Sequence, residues 1–225
     1  MKFTLPESDK SYAIGKVWVS IEDPENLTYV KTIDSRDYST TYLLNYHEEQ
    51  LVMKWIYKSG VKPIDLEVEI HMRCAAVGIA PKVRWAFAFK EGAIIVMEFM
   101  DEELGVYLTN ESRLESDFSL DLISMIALIE KLHDLDIYHG DIGVTNIMIK
   151  YDQARENLPV FYLIDFGESI WISDQIEADK SHLKKEDLRT FSDAIMDLSA
   201  DFNFENIRRI HFLLQAYSDR RYPTN

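Results

Sequence analysis

The sequence predicts a two-lobed α+β protein, with a small β-rich first lobe over residues 1–99 and a shortened helical second lobe over residues 100–225. Two observations support this class. Short runs that alternate apolar and other residues occupy much of the first half, whereas apolar residues recur at helical spacing in the second half. Because strands precede helices, we expect two segregated parts, with their boundary near residues 99–103.

The first lobe is predicted to contain strands and two helices. Residues 17–21 and 28–33 each alternate apolar and polar side chains, and the Asp-Pro-Glu-Asn between them suits a turn. An inserted amphipathic helix is predicted at residues 43–57, from its spaced apolar residues and its acidic stretch. A second helix is expected at residues 63–77, with Gly78 as its stop. The runs RWAFAF and AIIVMEF then predict an antiparallel hairpin.

The second lobe is predicted to be mainly helical. A helix is expected at residues 117–135, directly before a loop that begins HGD. Two short strands, IMIKYD and VFYLID, follow that loop. After Gly167 we expect helices that include residues 184–198 and 205–217.

Composition narrows the functional classes. The formal net charge of −15 argues against a broad nucleic-acid or anionic-membrane surface, which would need basic patches. The single cysteine, Cys74, excludes an internal disulfide and suits a reducing compartment. The first residues lack the apolar core of a signal peptide, and the apolar stretches are too short to span a bilayer. We therefore expect a cytoplasmic protein with no membrane partner.

Two motifs in the second half carry the chemistry. HGDIGVTN, residues 139–146, supplies Asp141 and, five residues later, Asn146. YLIDFG, residues 162–167, supplies Asp165 in an Asp-Phe-Gly that follows an apolar strand. In this order and spacing, one carboxylate suits a substrate hydroxyl, and the amide and second carboxylate suit Mg²⁺ on ATP.

On these motifs the chain resembles the eukaryotic-type protein kinase superfamily, from about residue 12 to residue 198. An HGD in place of the usual His-Arg-Asp is similar to the compact atypical members, namely the Rio-type kinases and the kinase subunit of the tRNA threonylcarbamoylation complex. Aminoglycoside and choline phosphotransferases share this HGD. The resemblance implies a two-lobed kinase fold that uses ATP and Mg²⁺.

The resemblance also implies roles for the motif residues. Asp141 would be the catalytic aspartate that orients the attacking hydroxyl, and Asn146 and Asp165 would be the metal ligands. His139 would brace the loop. Asp187 matches the structural aspartate that braces the same loop, although it equally suits a charge at a helix N-terminus.

In the first lobe the implied roles concern the nucleotide. Lys31 is the candidate for the strand lysine that fixes the α- and β-phosphates, and Glu67, with Glu69 as its rival, is expected to pair with it. Gly15 is the one glycine left of the phosphate-covering loop, which precedes Val17.

The segment IIVMEFMD resembles the edge strand and hinge that hold adenine. Met97 would be the gatekeeper, and backbone groups of Glu98 and Met100 would pair with the base. No Ala-Pro-Glu follows the Asp-Phe-Gly, so the conventional peptide platform is reduced.

Three functions fit these features. The first is an ATP-dependent protein serine/threonine kinase, favoured by the complete set of catalytic polar residues and by Asp-Phe-Gly. The alternatives are a small-molecule phosphotransferase, suggested by HGD and the missing platform, and a nucleotide-binding pseudokinase scaffold, suggested by the eroded glycine loop. ATP is the expected ligand, and a protein substrate or regulatory partner is expected beside it.

Overall fold

A computed structural model describes residues 17–19, 26–57, 63–89, 92–109, 115–202 and 205–222. The chain divides into two compact units, Met1–Phe99 and Met100–Asn225. Strands dominate the first unit and helices the second, so the predicted α+β class is confirmed. In the described part of the chain, no helix has the length and apolar character required to cross a bilayer.

The first unit is built on an antiparallel sheet whose described strands run in the order β1-β5-β6-β4-β3-β2. One helix, α1, lies between β4 and β5 in the chain. The bounds are β1 Val17–Val19, β2 Leu27–Arg36, β3 Ser39–Tyr46, β4 Glu49–Tyr57, α1 Ile64–Ala76, β5 Val83–Phe89 and β6 Gly92–Glu98.

Both faces of this sheet are packed, and β6 shows why. Alternate residues of a strand point to opposite faces. Ala93, Ile95 and Met97 belong to a cluster that includes Val68 of α1, whereas Ile94 and Val96 belong to a second cluster on the other face. A strand buried on both faces needs an unbroken apolar run, and IIVM supplies it.

The predicted helix at residues 43–57 is wrong. Those residues form the second half of β3 and all of β4, which are joined by a two-residue turn between Tyr46 and Glu49. His47 occupies this turn at φ 52°, a conformation that tight hairpin turns require. The β-branched and aromatic residues of TTYLLNY and LVMKWIY favour strands over helix. The segment is therefore part of the central sheet and not an insertion.

Two further predictions are corrected by the sheet order. Val17–Val19 pairs with β5 and lies at the opposite edge of the sheet from β2, so these two strands do not form a hairpin. The strand of IIVMEF is not an edge strand, because β6 lies between β5 and β4. The predicted helix at residues 63–77 and the predicted hairpin of β5 and β6 are confirmed.

The second unit surrounds a helix, α3, with short strands and two further long helices. The predicted helix before the HGD loop and the two predicted strands after it are confirmed, and the structure pairs these strands antiparallel. The bounds are β7 Glu102–Glu103, α2 Leu104–Leu108, α3 Glu115–Asp134, β8 Ile137–Tyr138, β9 Ile147–Asp152, β10 Leu158–Leu163, β11 Ile170–Trp171, α4 Glu177–Phe202 and α5 Glu205–Arg221.

Helix α4 begins earlier than predicted, at Glu177. The chain between Asp-Phe-Gly and α4 contains only β11 and two short 3-10 turns, Phe166–Glu168 and Ile172–Asp174. Strand β11 pairs with β8, directly before the HGD loop. The two motif segments are therefore fastened to each other by a small sheet as well as by β9 and β10.

Candidate active site

The HGD loop is held by a buried carboxylate on α4. Asp187 is 1% exposed, and it accepts hydrogen bonds from the backbone amides of His139 (2.9 Å) and Gly140 (3.0 Å). His133, at the end of α3, lies 3.0 Å from the same carboxylate through Nε2. Burying a carboxylate is costly unless donors surround it, and these three donors do so. Of the two roles considered for Asp187, the structure shows the one in which its carboxylate holds the HGD loop.

His139 connects the two motifs from inside the unit. Its Nε2–H donates to the carbonyl of Ile164 at 3.1 Å, and its Nδ1 accepts from the Asp141 amide at 3.3 Å. Burial lowers the pKa of His139, so the ring stays neutral, as these two opposite roles require. Its carbonyl accepts from the Ser169 hydroxyl at 2.9 Å. His139 therefore positions the loop, as predicted from its place in the motif.

Gly140 allows the loop to approach the segment after Asp-Phe-Gly. Its φ is +84°, and a Cβ at this position would lie 2.8 Å from the backbone oxygen of Glu168. A larger residue would meet both a strained backbone and a collision. The Gly in place of the usual Arg thus has a local geometric reason.

The structure brings Asp141, Asn146 and Asp165 to one place in the second unit. The Asn146 amide nitrogen donates to the carboxylate and to the carbonyl of Asp141, both at 2.9 Å. The Asn146 carbonyl accepts from the amide of Ile164 at 3.0 Å, and Asp165 follows in the chain. Asp165 has φ +61°, a left-handed conformation that Asp tolerates better than most residues.

These residues suit a cation delivered by a nucleotide. Because the Asn146 nitrogen faces Asp141, the side-chain oxygen is the atom that can ligate a metal. Asn146 and Asp165 would offer two oxygens, and Mg²⁺ usually takes one or two protein ligands and completes its shell with phosphates and water. Among the described residues, no group of three or more His, Cys, Asp or Glu could hold a metal by itself.

In the first unit, Glu67 pairs with Lys54 and not with Lys31. The Lys54 Nζ lies 2.6 Å from Oε1 of Glu67, and the two side chains are only 12% and 13% exposed. Lys54 shares the face of β4 that carries Val52 and Ile56, which pack in the cluster beneath α1. This face explains how a strand lysine reaches a helix glutamate.

Lys31 lies elsewhere. It is exposed on β2, opposite Leu43 of β3. Strand β2 lies at the edge of the sheet, and β3 separates it from β4, which carries Lys54. The prediction that Lys31 pairs with Glu67 is therefore wrong. The reason is that a helix at residues 43–57 would remove Lys54 from the sheet, whereas the structure places it on β4. Lys54 in the strand LVMKWIY, thirteen residues before Glu67, was the signal that could have identified the pair.

The other predicted nucleotide residues divide into three cases. Met97 is buried at the end of β6, and the Glu98 amide donates to the Lys82 carbonyl at 3.0 Å, so an adenine contact there would fall to the Glu98 carbonyl. Met100, the first residue of the second unit, is buried. Val17 is described only as part of the backbone of β1, and Gly15 lies outside the described residues.

Comparison with known proteins agrees with this geometry. A family model described as the lipopolysaccharide kinase (Kdo/WaaP) family matches residues 70–212, well over half of the chain, beginning within α1. Among solved structures, the kinase PK-1 of Cydia pomonella granulovirus matches with a TM-score of 0.52 and 21% identity. That match covers 65% of this chain and 55% of the viral chain, and at this identity it shows a shared fold. No curated protein matches significantly.

The predicted membership of the protein-kinase-like superfamily is confirmed by the family match, and the structural match shows a shared fold. The family match spans the HGD loop and the Asp-Phe-Gly, whereas Lys54 and Glu67 precede it. The chain therefore belongs to the lipopolysaccharide kinase (Kdo/WaaP) family, whose members are kinase-like phosphotransferases.

Proposed function

We propose that the protein is a kinase that transfers the γ-phosphoryl group of Mg²⁺-ATP to a hydroxyl group. The observation that carries this proposal is the hydrogen-bonded set of Asp141 and Asn146 beside Asp165, fixed from behind by His139 and Asp187. A phosphoryl transferase supplies mainly positioning and charge, so it needs such a rigid set.

Each residue has a defined part in the reaction. Asp141 accepts the hydrogen bond of the attacking hydroxyl and aims its oxygen at the γ-phosphorus. Asn146 and Asp165 would hold Mg²⁺, which when bound offsets charge on the phosphate oxygens. Lys54, oriented by Glu67, neutralises the phosphates in the role first assigned to Lys31.

The phosphate-covering loop is also reassigned. In protein kinases the lysine lies on the third strand, after a hairpin whose loop covers the phosphates. Strands β2 and β3 directly precede the Lys54 strand, so we assign the phosphate-covering role predicted for the Gly15 loop to their turn at residues 36–39. This turn has no glycine.

The acceptor we favour is the side-chain hydroxyl of a protein serine or threonine. Asp-Phe-Gly and the complete catalytic set support it. A second acceptor, a sugar hydroxyl, is favoured by the family match and by the short connection from Gly167 to α4. A cytoplasmic location is part of the proposal, supported by the single buried thiol of Cys74.

The test is transfer of label from γ-labelled ATP in the presence of Mg²⁺. Wild type is compared with Asp141→Ala and Asp165→Ala, and with Asp197→Ala, an exposed aspartate of α4, as a matched control. We expect both site variants to lose transfer by several orders of magnitude and the control to keep it. If Asp165→Ala turns over at the wild-type rate, the assigned mechanism is wrong.

The acceptor is read from where the label goes. Phosphoserine or phosphothreonine, on the protein itself or on a general protein acceptor, supports the first assignment. Label that enters lipopolysaccharide or a soluble sugar, and spares protein, supports the second. If wild type binds ATP and transfers label to neither acceptor, the pseudokinase alternative is favoured.

A further inference from the structure

The end of α5 contacts the residues that lead into the HGD loop. Tyr222 directly follows α5 and continues its hydrogen bonding, since its amide donates to the Ser218 carbonyl at 2.9 Å. Its hydroxyl lies 3.2 Å from Nδ1 of His133, eighty-nine residues earlier in the chain. The two rings also meet edge to face, with their centroids 5.9 Å apart.

The Asp187 carboxylate sets which nitrogen of His133 donates to it. Asp187 can only accept as a carboxylate, so His133 donates to it through Nε2–H. The other ring nitrogen, Nδ1, forms the hydrogen bond with the Tyr222 hydroxyl. Burial raises the pKa of Tyr222, so the hydroxyl keeps its proton at neutral pH.

We propose that Tyr222 is a positioning residue for phosphoryl transfer, acting through His133 and Asp187 on the backbone of the HGD loop. The Asp187 oxygen that faces His133 is the one that accepts the His139 amide, and the other oxygen accepts the Gly140 amide. A ring held at both nitrogens keeps one orientation, and that orientation fixes the carboxylate. Asp141 follows these two amides in the chain, so its aim depends on them.

This proposal deepens the proposed function and rests on it. The chain offers a matched control on the same helix. The Tyr217 hydroxyl donates to the Glu130 carboxylate, which also pairs with Arg221 at 3.1 Å. Tyr217 thus fastens α5 to α3 as Tyr222 does, although its partner does not contact Asp187 in any described hydrogen bond. Phenylalanine at either position removes one hydroxyl and keeps the ring.

The experiment compares wild type, Tyr222→Phe and Tyr217→Phe in three measurements. Ring ¹⁵N shifts of His133 report the hydrogen bond at Nδ1, and amide hydrogen exchange reports the protection of His139 and Gly140. ATP turnover with Mg²⁺ is separated into kcat and KM. In Tyr222→Phe we expect the Nδ1 shift to change, because that nitrogen loses its hydrogen bond, and both amides to exchange about three- to tenfold faster. We expect kcat to fall by a similar factor, with KM for ATP unchanged.

Tyr217→Phe is expected to lower the melting temperature and to leave the Nδ1 shift of His133, the two amides and kcat as in wild type. Unchanged exchange in Tyr222→Phe, or equal acceleration in both variants, would overturn the proposal, because Tyr222 would then only attach α5. The ¹⁵N shift and exchange measurements need no substrate. Both measurements can respond in Tyr222→Phe while wild type transfers no phosphate. In that case the positioning of the HGD loop by Tyr222 stands and the proposed function fails.

Discussion

Replacing Lys54 by methionine separates the two lysines that the sequence and the structure nominate for the phosphates. Lys54 lies 2.6 Å from Glu67, with side-chain exposures of 12% and 13%. Removing one member of a fully buried pair costs about 3–5 kcal/mol, because the remaining charge is left uncompensated. Because both side chains keep some solvent access, the cost is smaller here. We expect Lys54→Met to lose about 2 kcal/mol in the free energy of unfolding.

The effect on catalysis should be larger than the effect on stability. A cation aimed at the phosphates is worth about 10²–10³ in kcat, on the scale of a lost transition-state donor. The assay measures turnover at saturating ATP, at a temperature below the melting point of the variant. Lys31→Met is the matched control, and its exposed position predicts a change in stability within about 0.5 kcal/mol and normal turnover.

A double variant distinguishes charge chemistry from folding. In Lys54→Met combined with Glu67→Gln no buried charge is left unpaired, so most of the lost stability should return. Turnover should stay low, because the phosphate cation is still missing. The reasoning is refuted if Lys31→Met slows turnover as much as Lys54→Met does, or if the double variant regains activity together with stability.

Three other expectations can be checked. Gly140→Ala should reduce kcat at least tenfold, whereas Gly143→Ala, whose Cβ would meet nothing nearer than 3.7 Å, should keep it; equal effects would exclude the collision with Glu168. His71 donates to the Pro81 carbonyl, and burial lowers its pKa from 6.5 to about 4. Its neutral form is required in the fold, so stability is complete above pH 6.5 and falls by up to about 3 kcal/mol toward pH 4. Denaturant titrations should show a shallower acid dependence for His71→Gln, and an equal slope would contradict this. Burial raises the pKa of the Cys74 thiol to about 12. A thiol reagent at pH 8 should therefore modify the protein only at the rate of unfolding. Rapid labelling would show that Cys74 is accessible in the folded protein.

The sequence by itself determined which residues of the second unit are candidates for the proposed chemistry. The catalytic loop and the Asp-Phe-Gly are short, local segments, and their residue types and spacing are set by what a phosphate, a cation and a hydroxyl need. Their flanking elements were also predictable, because α3 and the strands β9 and β10 carry strong periodic patterns. For the same reason α1 and the β5–β6 hairpin were found.

Only the tertiary structure decided which lysine meets Glu67. Strand pairing is a nonlocal choice, and the segment at residues 43–57 suits a helix when its apolar residues are counted alone. Its place between β2 and β6 follows from the register of the whole sheet. That register puts Lys54 beneath α1 and leaves Lys31 on the edge.

The contact of Tyr222 with His133 has the same character. Nothing local marks a tyrosine near the end of the chain as a partner of a helix that ends before the catalytic loop. The packing of α3, α4 and α5 brings Tyr222, His133 and Asp187 into one line of hydrogen bonds. Local composition fixed which groups can do the chemistry, and long-range packing chose which groups hold them in place, because contact energies between distant segments depend on the whole fold.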